Sequence, residues 1–328
     1  MGKIGHNLHP VLLVVIVVVG GFVTSVLGSH GDREPVYKDC VKRCDERNCS
    51  GARLQAFQTQ QPVYMSITGW TCKDDCLYNC MWYTVGLYIK EGYSVPQFHG
   101  KWPFYRFLFF QEPASAFASL LNGLTNFVMM NRYKAAVPSD SPMYETCTSF
   151  AIVSLHAWFW STIFHTRDTG ITEKLDYFCA SSVILYSLYL CCVRTLGLRH
   201  PVLASCFGIV LILFFTCHIA YLTFVRFDYG YNMFANITVG IINLSWWLCW
   251  CMRNRKQLSY VRKCMVVMVL LNLLALLELL DFPPLFWVFD AHAVWHFSTV
   301  PLPFLFYSFL MDDSLYLLKA KSGIIKSD

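Results

Sequence analysis

Residues 202–224 read VLASCFGIVLILFFTCHIAYLTF, a run of 23 positions without Asp, Glu, Lys or Arg. About 20 apolar residues are enough for a helix to cross the hydrocarbon core of a bilayer. Further apolar stretches lie at about 106–130, 145–165, 175–193, 233–252, 264–280 and 285–310. Because these runs are continuous rather than alternating, they favour helices over a transmembrane barrel. The sequence therefore predicts an all-α membrane protein built on a seven-transmembrane helical bundle.

The composition of the whole chain agrees with this prediction. Its 328 residues are 55% hydrophobic and only 14% charged, which leaves too little polar surface for two or three soluble domains. The formal net charge is +5, but Lys and Arg form neither a basic arm nor an aromatic-basic stripe. We therefore expect a membrane partner and no nucleic-acid partner.

The N-terminus has the pattern of a cleaved signal peptide. Residues 1–28 carry Lys3, an apolar core from Val11 to Val19 and a small-residue exit ending at Gly28. An uncleaved anchor helix is the alternative, although the apolar run is shorter than the ~20 residues that span a bilayer. In both cases residue 29 onward starts in the lumen.

Residues 29–101 are more polar and predict a small disulfide-rich luminal domain. An even number of cysteines in a translocated segment is typical of disulfides, and a cysteine zinc site is the alternative. The six cysteines are Cys40, Cys44, Cys49, Cys72, Cys76 and Cys80. The last three recur every four residues, so they share one helix face that can be bridged to the Cys40–Cys49 segment. Asn48 begins the candidate glycosylation sequon Asn48-Cys49-Ser50.

The distribution of basic residues predicts the orientation. One side of the predicted bundle has three, Arg167, Lys174 and Arg226. The other side has twelve: Arg132, Lys134, Arg194, Arg199, Arg253, Arg255, Lys256, Arg262, Lys263, Lys319, Lys321 and Lys326. Positive residues stay in the cytosol, so the N-terminus is luminal and the C-terminus cytosolic. The mature chain is therefore predicted to consist of a luminal domain at residues 29–101, the helical bundle at 102–312 and a cytosolic tail at 313–328.

Histidines at helical spacing predict a metal site at the luminal end of the bundle. Ser161 and His165 are four residues apart, as are His292 and His296, so each pair lies on one helix face. Three imidazoles from two helices can then meet and leave a fourth position open for water, which is the ligand set of a catalytic zinc. Ala293 follows His292, so the segment differs from the His-Glu-x-x-His of soluble zinc proteases. A general base must come from elsewhere.

Other ionisable residues near the spans have more than one interpretation. Glu112 precedes Pro113, and its carboxylate either caps the perturbed backbone or orients a metal ligand. Asp290 precedes His292 by two residues and is expected at the membrane interface or behind the ligands. His156 and His218 are expected to make hydrogen bonds between helices.

Several motifs resemble a known family of GPI-anchor lipid-remodelling proteins. They are Gly100-Lys-Trp-Pro-Phe104, Phe109-Phe-Gln-Glu-Pro113, Trp158-Phe-Trp-Ser-Thr-Ile-Phe-His165, Arg226-Phe-Asp-Tyr-Gly-Tyr231 and Asp281-Phe-Pro-Pro-Leu-Phe-Trp287 through His296. The resemblance covers about residues 34–319. More distantly, the chain is similar to the CREST superfamily of seven-span hydrolases, which includes alkaline ceramidases and the progestin and adiponectin receptors. The superfamily pattern places Ser-x-x-x-His, Asp and His-x-x-x-His on three helices, where this chain has Ser161, His165, Asp176, His292 and His296.

The resemblance implies an activity and a role for each of these residues. His165, His292 and His296 would hold Zn²⁺, while Ser161 and Asp176 would be catalytic. The implied enzyme is phospholipase A2-like and removes the unsaturated sn-2 acyl chain from GPI-anchored proteins. Asp176 would accept a proton or orient water, and Ser161 would donate a hydrogen bond to the oxyanion. A nucleophilic Ser161 stays open.

Three other functions fit the same residues. The metal site could serve an amidase acting on a ceramide-like lipid, a heptahelical receptor, or a non-catalytic assembly factor that keeps zinc for structure. A structural site closes the fourth zinc position, whereas a catalyst leaves it to water. The resemblance implies the Golgi membrane, and the endoplasmic reticulum remains possible.

Overall fold

The computed structural model describes residues 29–323. The predicted signal peptide at 1–28 and the last residues of the predicted tail, including Lys326, lie outside the described residues. Within 29–323 the chain is helical and its β-structure is limited to isolated bridges. The α-helices of this part are α1 (His30–Arg33), α2 (Pro35–Asn48), α3 (Gly51–Gln60), α4 (Val63–Ile67), α5 (Cys72–Glu91), α6 (Pro113–Ala136), α7 (Tyr144–Thr166), α8 (Gly170–Cys192), α9 (Pro201–Ala220), α10 (Tyr229–Asn254), α11 (Val261–Ala275), α12 (Ala291–Thr299) and α13 (Leu302–Lys321).

Helices α2 and α5 form the disulfide-rich domain that the sequence predicts. Three bridges join them in antiparallel order, Cys40–Cys80, Cys44–Cys76 and Cys49–Cys72. Cysteines spaced by about one helical turn point in one direction, so the bridges form a ladder between the two helices. Because all six sulfurs are paired, none is a thiolate for zinc. The predicted bridging of the α5 face is confirmed, and the cysteine zinc alternative is wrong.

The bundle is closed by contacts between helices that are distant in sequence. Helix α6 packs against α7, and α7 against α8, while α8 contacts both α9 and α10. The ring continues through α10, α11 and α13 and closes on α6, which also contacts α12. Helix α9 and the π-helical turn after it (Tyr221–Val225) stay at the periphery. This segment has the highest mean hydropathy among the candidate spans, 2.4, yet only 11% of it is buried within the protein, as expected for a helix that faces lipid.

Five helical segments are long and apolar enough to cross a membrane: Tyr144–Thr166, Gly170–Gly197, Pro201–Val225, Tyr229–Asn254 and Ala291–Lys321. They correspond to five of the seven predicted spans. Helix α6 is less apolar than these five segments, because it carries inward-facing polar residues such as Asn122 and Asn126. Helix α11 has only 15 residues. The chain is therefore a multi-pass helical membrane protein, and the count of seven stays a prediction.

Two predicted spans begin too early. Residues 106–112 and 285–290 form turns, and the helices begin at Pro113 and Ala291. Proline suits the first helical position because its missing N–H is not needed there. Within the turns, Leu108 and Phe286 both have φ 55°, a left-handed conformation that a right-handed helix excludes. The prediction that these stretches are apolar is correct, and the prediction that they are helical is wrong.

Helix α13 continues past the predicted start of the cytosolic tail at residue 313. Asp313 is buried within this helix and accepts two hydrogen bonds from Arg194, at 2.5 and 2.8 Å, and one from Tyr260 at 2.9 Å. A buried carboxylate needs such partners. The end of the bundle opposite the disulfide-rich domain is thus held by a paired ionic cluster, and the side of the membrane on which it lies stays a prediction.

Candidate metal centre

Three imidazoles converge at the end of the bundle that carries the disulfide-rich domain. His165 lies in the last turn of α7, and His292 and His296 lie one turn apart on α12. The Nε2 atom of His292 is 3.3 Å from Nε2 of His165 and 2.9 Å from Nε2 of His296. Tetrahedral coordination with Zn–N bonds of about 2.0–2.1 Å places ligand nitrogens roughly 3.3 Å apart. The arrangement has the dimensions of one shared coordination sphere.

Glu112 fixes the orientation of His165. Its carboxylate Oε2 lies 2.7 Å from Nδ1 of His165, so Nδ1 carries the proton and Nε2 is left for a metal. The backbone brings the two residues together, because the N–H groups of Gln111 and Glu112 donate to the last carbonyls of α7, on Thr166 and His165, each at 3.0 Å. The side chain of Glu112 makes no capping bond to α6. Of the two interpretations of Glu112, orientation of a ligand is the one its contacts favour.

Lys101 neutralises this carboxylate, a contact that no helical spacing in the sequence predicts. Its ammonium contacts Oε1 of Glu112 and lies 2.9 Å from Asp168 Oδ2. Burial would lower the pKa of Lys101, but the two carboxylates outweigh burial and hold the pKa above its usual range. Phe164 covers the ammonium at 4.1 Å from the ring centroid. Lys101 lies outside every apolar span, and only its place in the Gly100–Phe104 motif could have marked it.

Ser161 and Asp176 lie beside the imidazoles. Ser161 is buried one turn before His165 on α7, and its hydroxyl is 3.1 Å from the hydroxyl of Ser119 on α6. Asp176, on α8, adjoins Ser161 and interacts electrostatically with His165 and His292. The structure therefore brings together all five residues of the predicted motif. The sequence does not predict that Ser119 belongs to this site, because a lone serine in an apolar helix forms no motif.

The backbone of α12 is also fixed at the site. Asn122 of α6 is fully buried and donates to the carbonyl of His296 at 2.8 Å. Asp290 caps α12 by accepting a hydrogen bond from the Ala293 N–H at 2.8 Å. It thus supports the first turn, which carries His292, from outside the imidazole cluster.

The environment of His296 tests whether the residues fit a metal ion. The side chain is buried, its Nε2 is directed at the other imidazoles, and its Nδ1 has no hydrogen-bond partner among the side chains that the structure describes. Buried polar atoms are normally paired, so protein contacts alone satisfy this ring poorly. A cation shared by the facing Nε2 atoms would stabilise the buried ring, and three neutral imidazoles are suitable ligands for zinc. The donor set therefore fits a divalent metal.

The remaining predicted polar residues lie elsewhere. His156 Nδ1 is 3.3 Å from Cys179 Sγ on α8, and His218 Nε2 is 3.1 Å from Asn232 Oδ1 on α10. Both make the interhelical hydrogen bonds that were expected of them. Asn48 is exposed at the end of α2, next to the bridged Cys49; its glycosylation stays a prediction.

Comparison with known proteins gives consistent matches over most of the chain. The model of the Per1-like family matches residues 62–314. The Homo sapiens protein named GPI-specific phospholipase A2-like PGAP3 is 63% identical over 313 residues, which cover 95% of this chain and 98% of that protein. Its Danio rerio namesake is 69% identical over 300 residues, covering 92% and 95%. Post-GPI attachment to proteins factor 3 of Drosophila melanogaster is 40% identical over 301 residues, covering 90% and 92%. No solved structure matches the chain significantly.

Proposed function

The chain belongs to the Per1-like family, and from that premise we propose that it hydrolyses the sn-2 acyl ester of GPI-anchored proteins during lipid remodelling. The observation that carries the proposal is the convergence of His165, His292 and His296, whose neighbouring Nε2 atoms lie 3.3 and 2.9 Å apart. The relatives are named GPI-specific and phospholipase A2-like, and these names suggest the substrate and the reaction class.

The reaction adds water across an ester and yields a fatty acid and a lyso lipid. Zinc, when bound by the three imidazoles, supplies a Lewis acid that lowers the pKa of water to about 7 and polarises the carbonyl. Asp176 takes up the proton of the attacking water or orients that water. Ser161 donates its hydroxyl hydrogen to the oxygen that becomes negative. Ser119, at 3.1 Å, holds the Ser161 hydroxyl in place.

Glu112 and Lys101 support the site without touching the substrate. Glu112 keeps the proton on Nδ1 of His165 and thereby directs Nε2 inward. Lys101 balances the buried charge of Glu112, which would otherwise be costly in the apolar surroundings. The paired groups hold the metal ligands rigidly, which favours catalysis because the site then needs no reorganisation during the reaction.

The ligand count favours catalysis over a structural metal. Among the side chains that the structure describes, the imidazoles of His165, His292 and His296 form the group that can hold a metal ion at this end of the bundle. An open position is what a catalytic zinc requires, and a closed set of four protein ligands is typical of a structural one. This argues against a heptahelical receptor or an assembly factor with structural zinc. An amidase would use the same geometry, and the names of the relatives favour an ester.

The proposed location is the Golgi membrane, with the disulfide-rich domain and the metal centre in the lumen. Disulfides form in the oxidising lumen of the secretory pathway, and the basic residues favour a cytosolic C-terminus. At this end of the bundle, an ester just below the lipid headgroups can reach the imidazoles while its acyl chain stays among apolar side chains.

The test uses purified full-length protein, a GPI-anchored protein with an unsaturated sn-2 chain, and mass spectrometry of the anchor. The wild-type protein is expected to release the sn-2 fatty acid and to contain one zinc per chain. His296→Ala should abolish both, whereas His156→Ala, on α7 but outside the cluster, should retain both. Fatty-acid release by His296→Ala at the wild-type rate would refute the proposal.

A further inference from the structure

Two tight turns stand beside the metal centre, and both contain non-glycine residues in the left-handed region. The first turn, Phe107–Phe110, is closed by reciprocal backbone hydrogen bonds at 3.2 and 2.9 Å and has Leu108 at φ 55°. The second, Leu285–Phe289, has Phe286 and Trp287 at φ 55° and 59°. Bulky residues rarely adopt this conformation, and strained backbone of this kind is concentrated at functional sites.

The tips of both turns expose large apolar side chains. Phe107 and Leu108 are 63% and 51% exposed, and Leu285 and Phe286 are 59% and 85% exposed. No charged residue occurs in 107–110 or in 282–289. Hydrogen bonds across each turn pair part of its backbone, which lowers the cost of moving the backbone out of water. Such tips favour contact with hydrocarbon over contact with solvent or with a charged group.

The bases of the two turns are held together and fastened to the disulfide-rich domain. The N–H of Tyr105 donates to the carbonyl of Trp287 at 2.9 Å. Trp82 of α5 stacks on Tyr105, with ring centroids 4.2 Å apart, and meets Trp287 edge-on at 5.3 Å. Because α5 is bridged to α2 by three disulfides, both turns rest on a rigid support.

Each turn leads directly into the metal centre. Phe110 is two residues before Glu112, and Phe289 is three residues before His292. Below the second turn, Phe289 contacts Phe297 of α12, with ring centroids 6.1 Å apart, and Phe297 contacts Phe117 of α6 at 6.3 Å. These rings extend the apolar surface of the turns along the seam between α6 and α12, and α12 carries two of the three imidazoles.

We propose that the two turns form an acyl-chain lip, defined as residues 107–110 and 285–289, that binds the fatty acyl chain of the lipid whose ester is cleaved. The inference rests on the proposed function and adds to it the element that selects long apolar chains. A phosphate headgroup would require cations, and the nearby Arg106 is already paired with Asp75 at 2.6 Å and covered by Tyr78. The lip thus offers an apolar surface without a free charge, as an acyl chain requires.

The first measurement is photo-crosslinking, which does not depend on turnover. The protein is placed in phosphatidylcholine nanodiscs with phosphatidylinositol that carries a diazirine on its sn-2 chain. Label is expected in peptides containing 107–110 and 285–289, and excess unlabelled phosphatidylinositol should remove it. Label spread equally to the peptide containing Phe224, and not reduced by competition, would mean contact with bulk lipid only and would overturn the lip.

The second measurement compares chain lengths in the variant Leu108→Ser/Phe286→Ser. Its KM for glucosaminyl-phosphatidylinositol with two C18 chains should rise at least tenfold, while its rate on the dibutyryl counterpart and its zinc content stay at the wild-type level. Phe224→Ser is the control, because Phe224 is also 85% exposed but lies at the end of the peripheral segment that follows α9. Equal loss on both substrates, or no loss on either, would contradict the lip.

The two measurements separate the lip from the proposed function. Specific label at the lip without any fatty-acid release by the wild-type protein would refute the hydrolase and leave the binding site standing. Hydrolysis by the wild-type protein with label absent from both turns would refute the lip alone.

Discussion

Replacing Glu112 tests whether the contact between this carboxylate and His165 sets the affinity for metal. The contact is a charge-assisted hydrogen bond of 2.7 Å to Nδ1 of a buried imidazole. Hydrogen bonds to charged groups contribute about 1.5–3 kcal/mol, and neutral ones about 0.5–1.5 kcal/mol. Glu112→Gln keeps a neutral acceptor, so it should lose the difference, about 1–1.5 kcal/mol. That corresponds to a zinc affinity weaker by roughly tenfold.

Glu112→Ala removes the acceptor and should cost more. Partners of metal ligands typically contribute 10- to 100-fold to affinity, so we expect the alanine variant near the upper end of that range. The ordering alanine worse than glutamine is specific to a hydrogen-bonding role. A role limited to charge would make the two variants equal, because both remove the same carboxylate.

The assay is a competitive titration of metal-free protein in detergent against a chelator of known zinc affinity. Glu173→Gln is the matched control, because Glu173 is a partly buried glutamate near this end of the bundle that bonds to Tyr229 instead of an imidazole. Its zinc affinity should stay within twofold of the wild-type value. Wild-type affinity in both Glu112 variants, together with loss of binding in His296→Ala, would refute the argument for orientation.

Three further predictions concern stability and turnover. Lys101→Met leaves a buried carboxylate without its cation and should lower the free energy of unfolding by about 3 kcal/mol or more. Lys263→Met, at a half-exposed pair with Asp312, should lower it by under about 1 kcal/mol. Chemical denaturation measures both free energies, and equal losses would contradict the distinction between a buried and an exposed pair. Ser161→Ala should lower kcat about 10²- to 10³-fold with zinc content unchanged, and an unchanged kcat would exclude it from the oxyanion site. Reduction of the three disulfides, each worth about 3–4 kcal/mol for the loops they close, should lower the Tm of the membrane-embedded protein, and an unaltered Tm would show that the ladder is dispensable.

Features that repeat along one helix could be predicted from the sequence. The cysteines of α5 and the pair His292 and His296 each recur at four-residue spacing, and helical geometry alone places them on one face. The disulfide ladder follows from that spacing if the Cys40–Cys49 segment lies opposite α5. The convergence of the imidazoles follows if α7 lies opposite α12. The inclusion of His165 needed an additional inference, that α7 ends at the depth at which α12 begins.

Contacts that depend on how separate segments meet could not be predicted in this way. Lys101 reaches Glu112 and Asp168 because the chain leaving the disulfide-rich domain passes across the end of α7. Ser119 meets Ser161 because α6 packs closely on α7. Neither contact follows from a helical period in the sequence, since each depends on the crossing of two helices or on the path of a loop.

Hydropathy misassigned the conformation of the two apolar turns for a related reason. Phe107–Phe110 and Leu285–Phe289 are as apolar as the spans they adjoin, and hydropathy reports the environment of a segment rather than its backbone conformation. The features that set where the helices begin are local: Pro113 at the first position of α6, and Asp290 as the N-cap of α12. If Pro113 and Asp290 are weighted above hydropathy, both helix starts are predicted correctly.

The disulfide-rich domain also holds the metal-ligand end of α7 directly. Trp70 lies between two guanidinium groups, with Arg106 at 4.6 Å and Arg167 at 4.1 Å from its ring. The same arginines pair with Asp75 and Asp74 in the first turn of α5, at 2.6 and 2.7 Å. Arg167 directly follows the last turn of α7, so its position is set by a helix that three disulfides anchor. Any change that loosens α5 should therefore displace an imidazole ligand, which makes the disulfide-rich domain part of the structural support of the site rather than an independent module.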